Sequence, residues 1–454
     1  MNFLQPDKDS GNLNLTRRQI LAAGCMAVSG AGISFGNQQT MPVGTADAAD
    51  VANIEPGYIG TPFFDKQEEQ ALLEVLELRT PFRFWGQGKP VKVQQFEENF
   101  AKHMGTRFAV GVNSGTSALN CAITGLGIGP GDEVIVPAYT FWADYTCVVH
   151  AGALPVFADI DSTLTIDPRD LERRITPRTK VVIAVHLLGG PCDMNPIMEI
   201  AKQRKLAVLE DCAQCVGGSY RGKKLGSIGD VGIYSFQVNK TMTCGEGGAV
   251  VTSDPIIYER AVRFHDNGSM KQLFLDRTGN PSQVPMFAGE NLRMNEFSGA
   301  VLGVQLSKVN SMIAQLRKNA AVIYDGLKGI PGLQARRRPD PDGDIGYAVC
   351  FELKDKAARD HCIKELRARN VPASTLVGSE LLPIEESVVN KRTRGANWPS
   401  FASPEGKAIQ YGPDSCRQTL DIFDRFVEVR IGLKYTPRIN DYIVQTIRTV
   451  CSSI

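Results

Sequence analysis

From about residue 56 the chain alternates two kinds of segment. In one kind, apolar residues recur every three to four positions; in the other, they run on almost unbroken. In DKQEEQALLEVLEL, Ala71, Leu72, Val75 and Leu76 share one helical face. VQQFEENFAKHMG predicts a second helix, closed by Gly105 as its C-terminal cap. FAVGV then predicts a strand, NSGTSALNCAITGLGI a turn and helix, and GDEVIVP a strand. YTFWADYTCVVHAG reads as helical, LPVFADI as a strand, and DPRDLERRI as a helix with an aspartate cap. TKVVIAVHLLG, LAVLEDCAQ, VGIYSF and GGAVVTSD continue the strands, with the helix NPIMEIAKQRK between the first two. Short β-branched runs interleaved with helices predict an α/β fold whose mostly parallel sheet is covered on both faces. In such sheets ligands bind beyond the carboxyl ends of the strands.

The remainder changes character. A long Leu- and Val-rich helix begins near residue 296 and leads to α+β structure: YAVCFELK as a strand, then KAARDHCIKELRARN and YTPRINDYIVQTIRTVC as helices. GSELLPIEESVVNKRTRGANWPSFASPEGKA is polar and predicts a long irregular surface loop. The domains expected are a leader over 1–48, a large domain over 49–305 and a smaller C-terminal domain over 306–454. The leader reading rests on Arg17 and Arg18, which precede a Gly/Ala-rich apolar stretch and the small residues of ADAAD. That order matches a twin-arginine export signal, cut after Ala48, and predicts a periplasmic enzyme. The alternative is a plain N-terminal tail on a cytoplasmic protein.

Composition narrows the function classes. The 454 residues carry a net charge of +1, so no basic surplus points to nucleic acid. After residue 50 the apolar runs fall well short of the ~20 residues a membrane span needs. Eleven cysteines show no framework spacing, and the one close pair, Cys212 and Cys215, lacks the second pair a structural zinc site requires. Both read as small buried residues, and no metal is expected.

Four strand-end motifs carry chemistry. In NSGTSALN, Gly115 and Thr116 stand where a strand gives way to a helix, whose free N–H groups suit a phosphate. In PAYTFWADY, Phe141 follows a strand and can stack on a flat ring. In VLEDCAQ, Asp211 ends an apolar strand, where an unpaired carboxylate would be costly, and Gln214 follows it closely. In YSFQVNKTMTCGEGGAVVTSD, Ser235 offers a hydroxyl, Lys240 an amine, and the glycines after it let backbone pass close to a ligand. A lysine that forms a Schiff base must be neutral to attack, which desolvation favours. Lysine, carboxylate, aromatic and phosphate cup are the parts a pyridoxal 5'-phosphate site needs.

SGTSALNCAI, GDEVIVPAYTFWA, VHLLGGPCDM, the long stretch from EDCAQ to VVTSD, and NLRMNEFSGAVLGVQL together resemble the DegT/DnrJ/EryC1/StrS sugar aminotransferases. The resemblance runs in order from about residue 56 to the C-terminal helix. It implies a fold-type-I pyridoxal-phosphate enzyme of the aspartate aminotransferase superfamily, with a seven-stranded-type sheet and a smaller α+β domain. It implies that Lys240 holds the cofactor and shuttles the proton, Asp211 pairs with the ring nitrogen, and Phe141 stacks on the ring. Gly115, Thr116 and Ser235 would bind the phosphate, and Gln214 would lie near the ring hydroxyl. Arg293 or Asn295 of a second subunit would complete the phosphate site in a homodimer. The implied reaction moves an amino group from glutamate or glutamine to a keto sugar or keto-cyclitol. A related dehydratase or a catalytically idle binding relative are the alternatives.

Overall fold

The central strands are apolar on both faces, so only a sheet sandwiched between helices can bury them. The computed structural model describes residues 54, 63–85, 91–376 and 380–454; the predicted leader over 1–48 lies outside them. The strands are β1 (Phe108–Val112), β2 (Glu133–Pro137), β3 (Leu154–Ala158), β4 (Thr179–Val185), β5 (Ala207–Asp211), β6 (Val231–Ser235) and β7 (Gly248–Thr252). They form one seven-stranded sheet in the order β1-β7-β6-β5-β4-β2-β3. Only β7 runs against its neighbours, β1 and β6; the other pairings are parallel. The α/β expectation therefore holds.

The early helices are α1 (Lys66–Leu78), α2 (Lys92–Met104), α3 (Gly115–Gly125) and α4 (Trp142–His150). Asp65 and Glu68 form a reciprocal capping box that starts α1, the Asp65 side chain accepting the Gln67 N–H and Glu68 accepting the Asp65 N–H, each at 2.8 Å. Gly105, at φ 74°, ends α2 as expected. Helix α5 (Glu296–Leu327) is a single 32-residue rod, and position 305 falls inside it. It packs on α1, α2 and the C-terminal helix. Beyond it, β8 (Ala348–Glu352) and β9 (Phe426–Arg430) form the centre of a four-stranded antiparallel sheet. Among the described residues no helix is long and apolar enough to cross a membrane.

Two expectations need correction. Helix α4 begins at Trp142 rather than Tyr139, because Tyr139–Thr140 is drawn into a short antiparallel pairing with Glu380–Leu381. The segment expected as an irregular surface loop supplies that partner strand. It also holds a short 3-10 helix and three short α-helices and binds the end of α4, with the Trp398 indole N–H and the Ser400 hydroxyl both donating to the Val149 carbonyl. Backbone pairing and the polar contacts to Val149 outweigh its polar composition.

Candidate functional site

Four chain turns at the carboxyl side of the sheet close around one cavity of about 420 Å³. It is lined by Ser114, Gly115, Thr116, Thr140, Phe141, Asp211, Ala213, Gln214, Ser235, Gln237, Asn239, Lys240, Glu246, Tyr347 and Arg430, among others. Seven of the nine site residues expected from sequence meet there: Gly115, Thr116, Phe141, Asp211, Gln214, Ser235 and Lys240.

The β1–α3 turn makes the anion cup. The Ser114 hydroxyl caps α3 by accepting the Ser117 N–H at 3.1 Å. The Gly115 and Thr116 N–H groups, in the first turn, have no protein acceptor among the described residues and carry the positive end of the helix dipole. Gly115 must be glycine, since a Cβ there would lie 2.7 Å from the Ser235 Cβ. That close approach brings the Ser235 hydroxyl onto the cup.

The β6–β7 connection positions Lys240. The loop is tied at its base by Phe236 N–H to the Gly247 carbonyl at 2.8 Å and Cys244 N–H to the Phe236 carbonyl at 3.1 Å. Gly245 turns it at φ 91°, where a side chain would be strained. The Lys240 N–H donates to the Gln237 carbonyl at 2.9 Å, and its amine forms no salt bridge among the described residues. Burial pulls the Lys240 amine below the ordinary lysine range, and Arg430 adds to this; Asp211 and Asp144 oppose it.

On the same cavity, Asp211 ends β5 with one oxygen accepting the Ala213 N–H at 2.7 Å. Burial raises its carboxyl above the usual range. The Gln214 side-chain carbonyl accepts the Leu188 N–H at 3.1 Å. Phe141 is 53% exposed although it lines the cavity, so an apolar ring face awaits a cover.

Arg293 and Asn295 are not brought into this cavity by their own chain. Arg293 is ion-paired to Asp266 and stacks over Phe82, 5.4 Å from its centroid. Asn295 caps α5, accepting the Ser298 N–H at 3.0 Å. Conversely, Arg430 and Tyr347 enter from β9 and just before β8, and the sequence reading did not single them out. Arg430 bonds Glu428 at 2.8 Å and lies 5.4 Å from the Tyr347 ring centroid. The signal was there to find: an arginine closing the strand-like FVEVR. Buried His186, Glu210 and Cys212 also cluster behind the site. Glu210 accepts the N–H groups of Gly226 at 2.8 Å, Ile228 at 2.7 Å and Gly229 at 2.7 Å, and meets the His186 ring at 3.0 Å. Burial keeps the Cys212 thiol protonated, pushed up to about 12. The cluster is thus spent on protein hydrogen bonds.

The residues present fit pyridoxal phosphate: a donor cup for phosphate, an uncovered aromatic face, a carboxylate for a ring nitrogen and a desolvated amine on one wall. Residues 64–394 match the model of the DegT/DnrJ/EryC1/StrS aminotransferase family. The GDP-perosamine synthase of Escherichia coli O157:H7 is 39% identical over 338 residues, covering 72% of this chain and 90% of that protein. The dTDP-3-amino-3,4,6-trideoxy-alpha-D-glucose transaminase of Streptomyces venezuelae is 41% identical over 286 residues, covering 63% and 72%. The crystal structure of 3-amino-5-hydroxybenzoic acid synthase superposes with a TM-score of 0.74 at 28% identity, covering 88% of this chain and 100% of that one.

Proposed function

This chain belongs to the DegT/DnrJ/EryC1/StrS aminotransferase family, and on that premise we propose that it uses pyridoxal phosphate, held by Lys240, to move an amino group from glutamate or glutamine to a keto sugar or keto-cyclitol. The observation that carries the reading is the meeting of Lys240, Asp211, Phe141, Ser235 and the α3 N-terminus in one cavity. Bound there, the cofactor supplies an aldehyde to hold amino groups and a ring to accept electrons.

The chain's own residues do the rest. Gly115 and Thr116 N–H groups and the Ser235 hydroxyl anchor the phosphate. Phe141 covers one ring face and excludes water from it. The Asp211 carboxylate holds a proton on the ring nitrogen, and Gln214 orients the ring hydroxyl. Lys240 Nζ, whose charged form burial disfavours, takes the proton from the donor α-carbon and returns one to the acceptor carbon. Arg430 brings a guanidinium into the same cavity and clamps a donor carboxylate. One cavity serves both half-reactions, so kinetics are ping-pong. With a panel of keto sugars and keto-cyclitols and nitrogen-15 glutamate or glutamine, label should appear on the carbonyl carbon of one acceptor. Loss of water from the substrate without nitrogen gain would make it a dehydratase instead.

A homodimer belongs to the same reading. The phosphate cup formed by Gly115, Thr116 and Ser235 contributes no cation of its own, and Arg293 and Asn295 would offer polar groups to a second copy. Support comes from apolar side chains left exposed at Phe64, Leu73, Leu76, Leu78 and Trp85. Trp85 stands 4.6 Å from the Phe82 ring that Arg293 overlies. Export through a twin-arginine route, which carries folded and cofactor-loaded proteins, rests on Arg17 and Arg18. Fractionation of an Arg17→Lys/Arg18→Lys variant tests it: retention in the cytoplasm is expected, and an unchanged compartment refutes export.

A further inference from the structure

Beside Asp211 lies a second acid that the chemistry above leaves unused. Asp144 sits in the first turn of α4 and is fully buried. Its Oδ2 accepts the Thr140 hydroxyl at 2.5 Å. Its Oδ1 is shut off from water and meets no donor. The neighbouring acid is Asp211, whose charge acts on it and with which it could share a proton.

An ionised carboxylate only accepts, so two ionised acids cannot share a buried contact without repulsion and an empty lone pair. One proton between them removes both faults. The surroundings decide which acid holds it. Asp211 takes a backbone N–H at 2.7 Å and borders the cavity with Lys240, all of which favours charge there. Asp144 has a single hydroxyl donor.

We propose that Asp144 is protonated at neutral pH and donates from Oδ1 to Asp211, as a positioning residue that aims the Asp211 carboxylate into the cavity. The consequence for the cofactor rests on the functional reading above; the proton assignment does not. The groups facing Asp144 are Thr140, Cys147 on its own helix, Asp211 from β5 and Lys240 from the β6–β7 loop. Burial first, and then the Asp211 charge, push Asp144 well above the usual carboxyl range, with the Thr140 bond and Lys240 opposing. A neutral donor steadies the Asp211 charge. An ionised group at 144 would instead drive a proton onto Asp211 and remove the countercharge a ring cation needs.

The test uses apo-protein, so it does not depend on turnover. Infrared spectra at pH 7 in water and heavy water should show the carbonyl stretch of a buried carboxylic acid. Buried Asp344 can add a band of its own, so the Asp144 signal is read as the wild type minus Asp144→Asn difference: a lost component is expected, and Asp211→Asn should shift that component without removing it. No component lost on Asp144→Asn overturns the assignment. Stability gives a second readout. The unfolded chain releases this proton near an ordinary aspartate value of about 3.9, while the folded chain retains it. The native state then binds more protons, so wild-type stability is fullest below that pH and falls as pH rises toward the folded value. Asp144→Asn should flatten that fall in denaturant melts; an unchanged slope contradicts the proposal.

Pyridoxal phosphate titration tests the positioning. Asp144→Asn keeps a donor and should bind within about threefold of wild type, whereas Asp144→Leu should bind about tenfold weaker, as for one lost hydrogen bond. Equal affinity in the two variants overturns the positioning role. If the wild type itself takes up no cofactor, the functional reading fails, and the infrared band still decides where the proton lies.

Discussion

Glu210 and Asp211 are consecutive carboxylates on β5, and the pleat sends neighbouring side chains to opposite faces. Glu210 faces the 226–229 turn and is fully satisfied, with three backbone N–H donors and the His186 ring. The Cys192 N–H donates to His186 Nδ1 at 3.0 Å, so Nε2 carries the proton and donates to Glu210. Asp211 faces the cavity with one backbone donor and an acid neighbour. Two acids with the same strand address thus differ in how completely the protein answers them. The satisfied one organises a turn, and the under-satisfied one keeps capacity for a ligand.

The largest effect should come from the Lys240 amine. Lys240→Ala is expected to lower kcat by about 10,000-fold or more in a nitrogen-transfer assay, since it removes the proton carrier. Fold and cup would stay intact, so circular dichroism should not change.

Next comes the direct contrast between the two acids. Glu210→Gln should destabilise the protein by about 3 kcal/mol or more in denaturant melts, because an amide cannot answer three N–H donors and an imidazole N–H as a carboxylate does. Asp211→Asn should leave stability of the apo-protein near wild type, or raise it, while lowering kcat about a hundredfold or more. If the two variants behave alike, the distinction between structural and functional acid is wrong.

Arg430 sharpens the cavity side. Arg430→Gln removes a cation that helps depress the Lys240 amine. The pH midpoint for cofactor capture by the apo-protein should therefore move upward, because the neutral amine then appears only at higher pH. KM for the amino donor should rise about tenfold or more. The smallest effect concerns Asn295. As a helix cap, its change to Ala should cost about 1 kcal/mol of stability. A simultaneous loss of cofactor affinity would show that it also reaches a partner's phosphate cup.

The sheet was readable because its strands are buried on both faces and so are apolar without interruption, as in EVIVP and VVIAV. Lys240 and Asp211 were readable because a polar residue that ends such a run has to be explained. Asp144 escaped notice because an acid in the first turn of a helix already has an ordinary reason to be there. Its contact with Asp211 depends on α4 starting at Trp142, and that start depends on the Glu380–Leu381 pairing, far along the chain. Arg430 comes from the second sheet and Tyr347 from just before it, and no local period reports which part of that domain will meet the cavity. The segment after residue 380 misled for the same reason: its polar composition was plain, but its partner strand was not.

The central claim is that the Lys240 amine, which shares its cavity with Asp211, bonds covalently to pyridoxal phosphate. Loading the protein with the cofactor, reducing with borohydride and mapping the peptides tests it most directly. The pyridoxyl mass should sit on the peptide that carries Lys240, and the Lys240→Arg variant should carry none. Label found on another lysine, or on no peptide at all, would contradict the account.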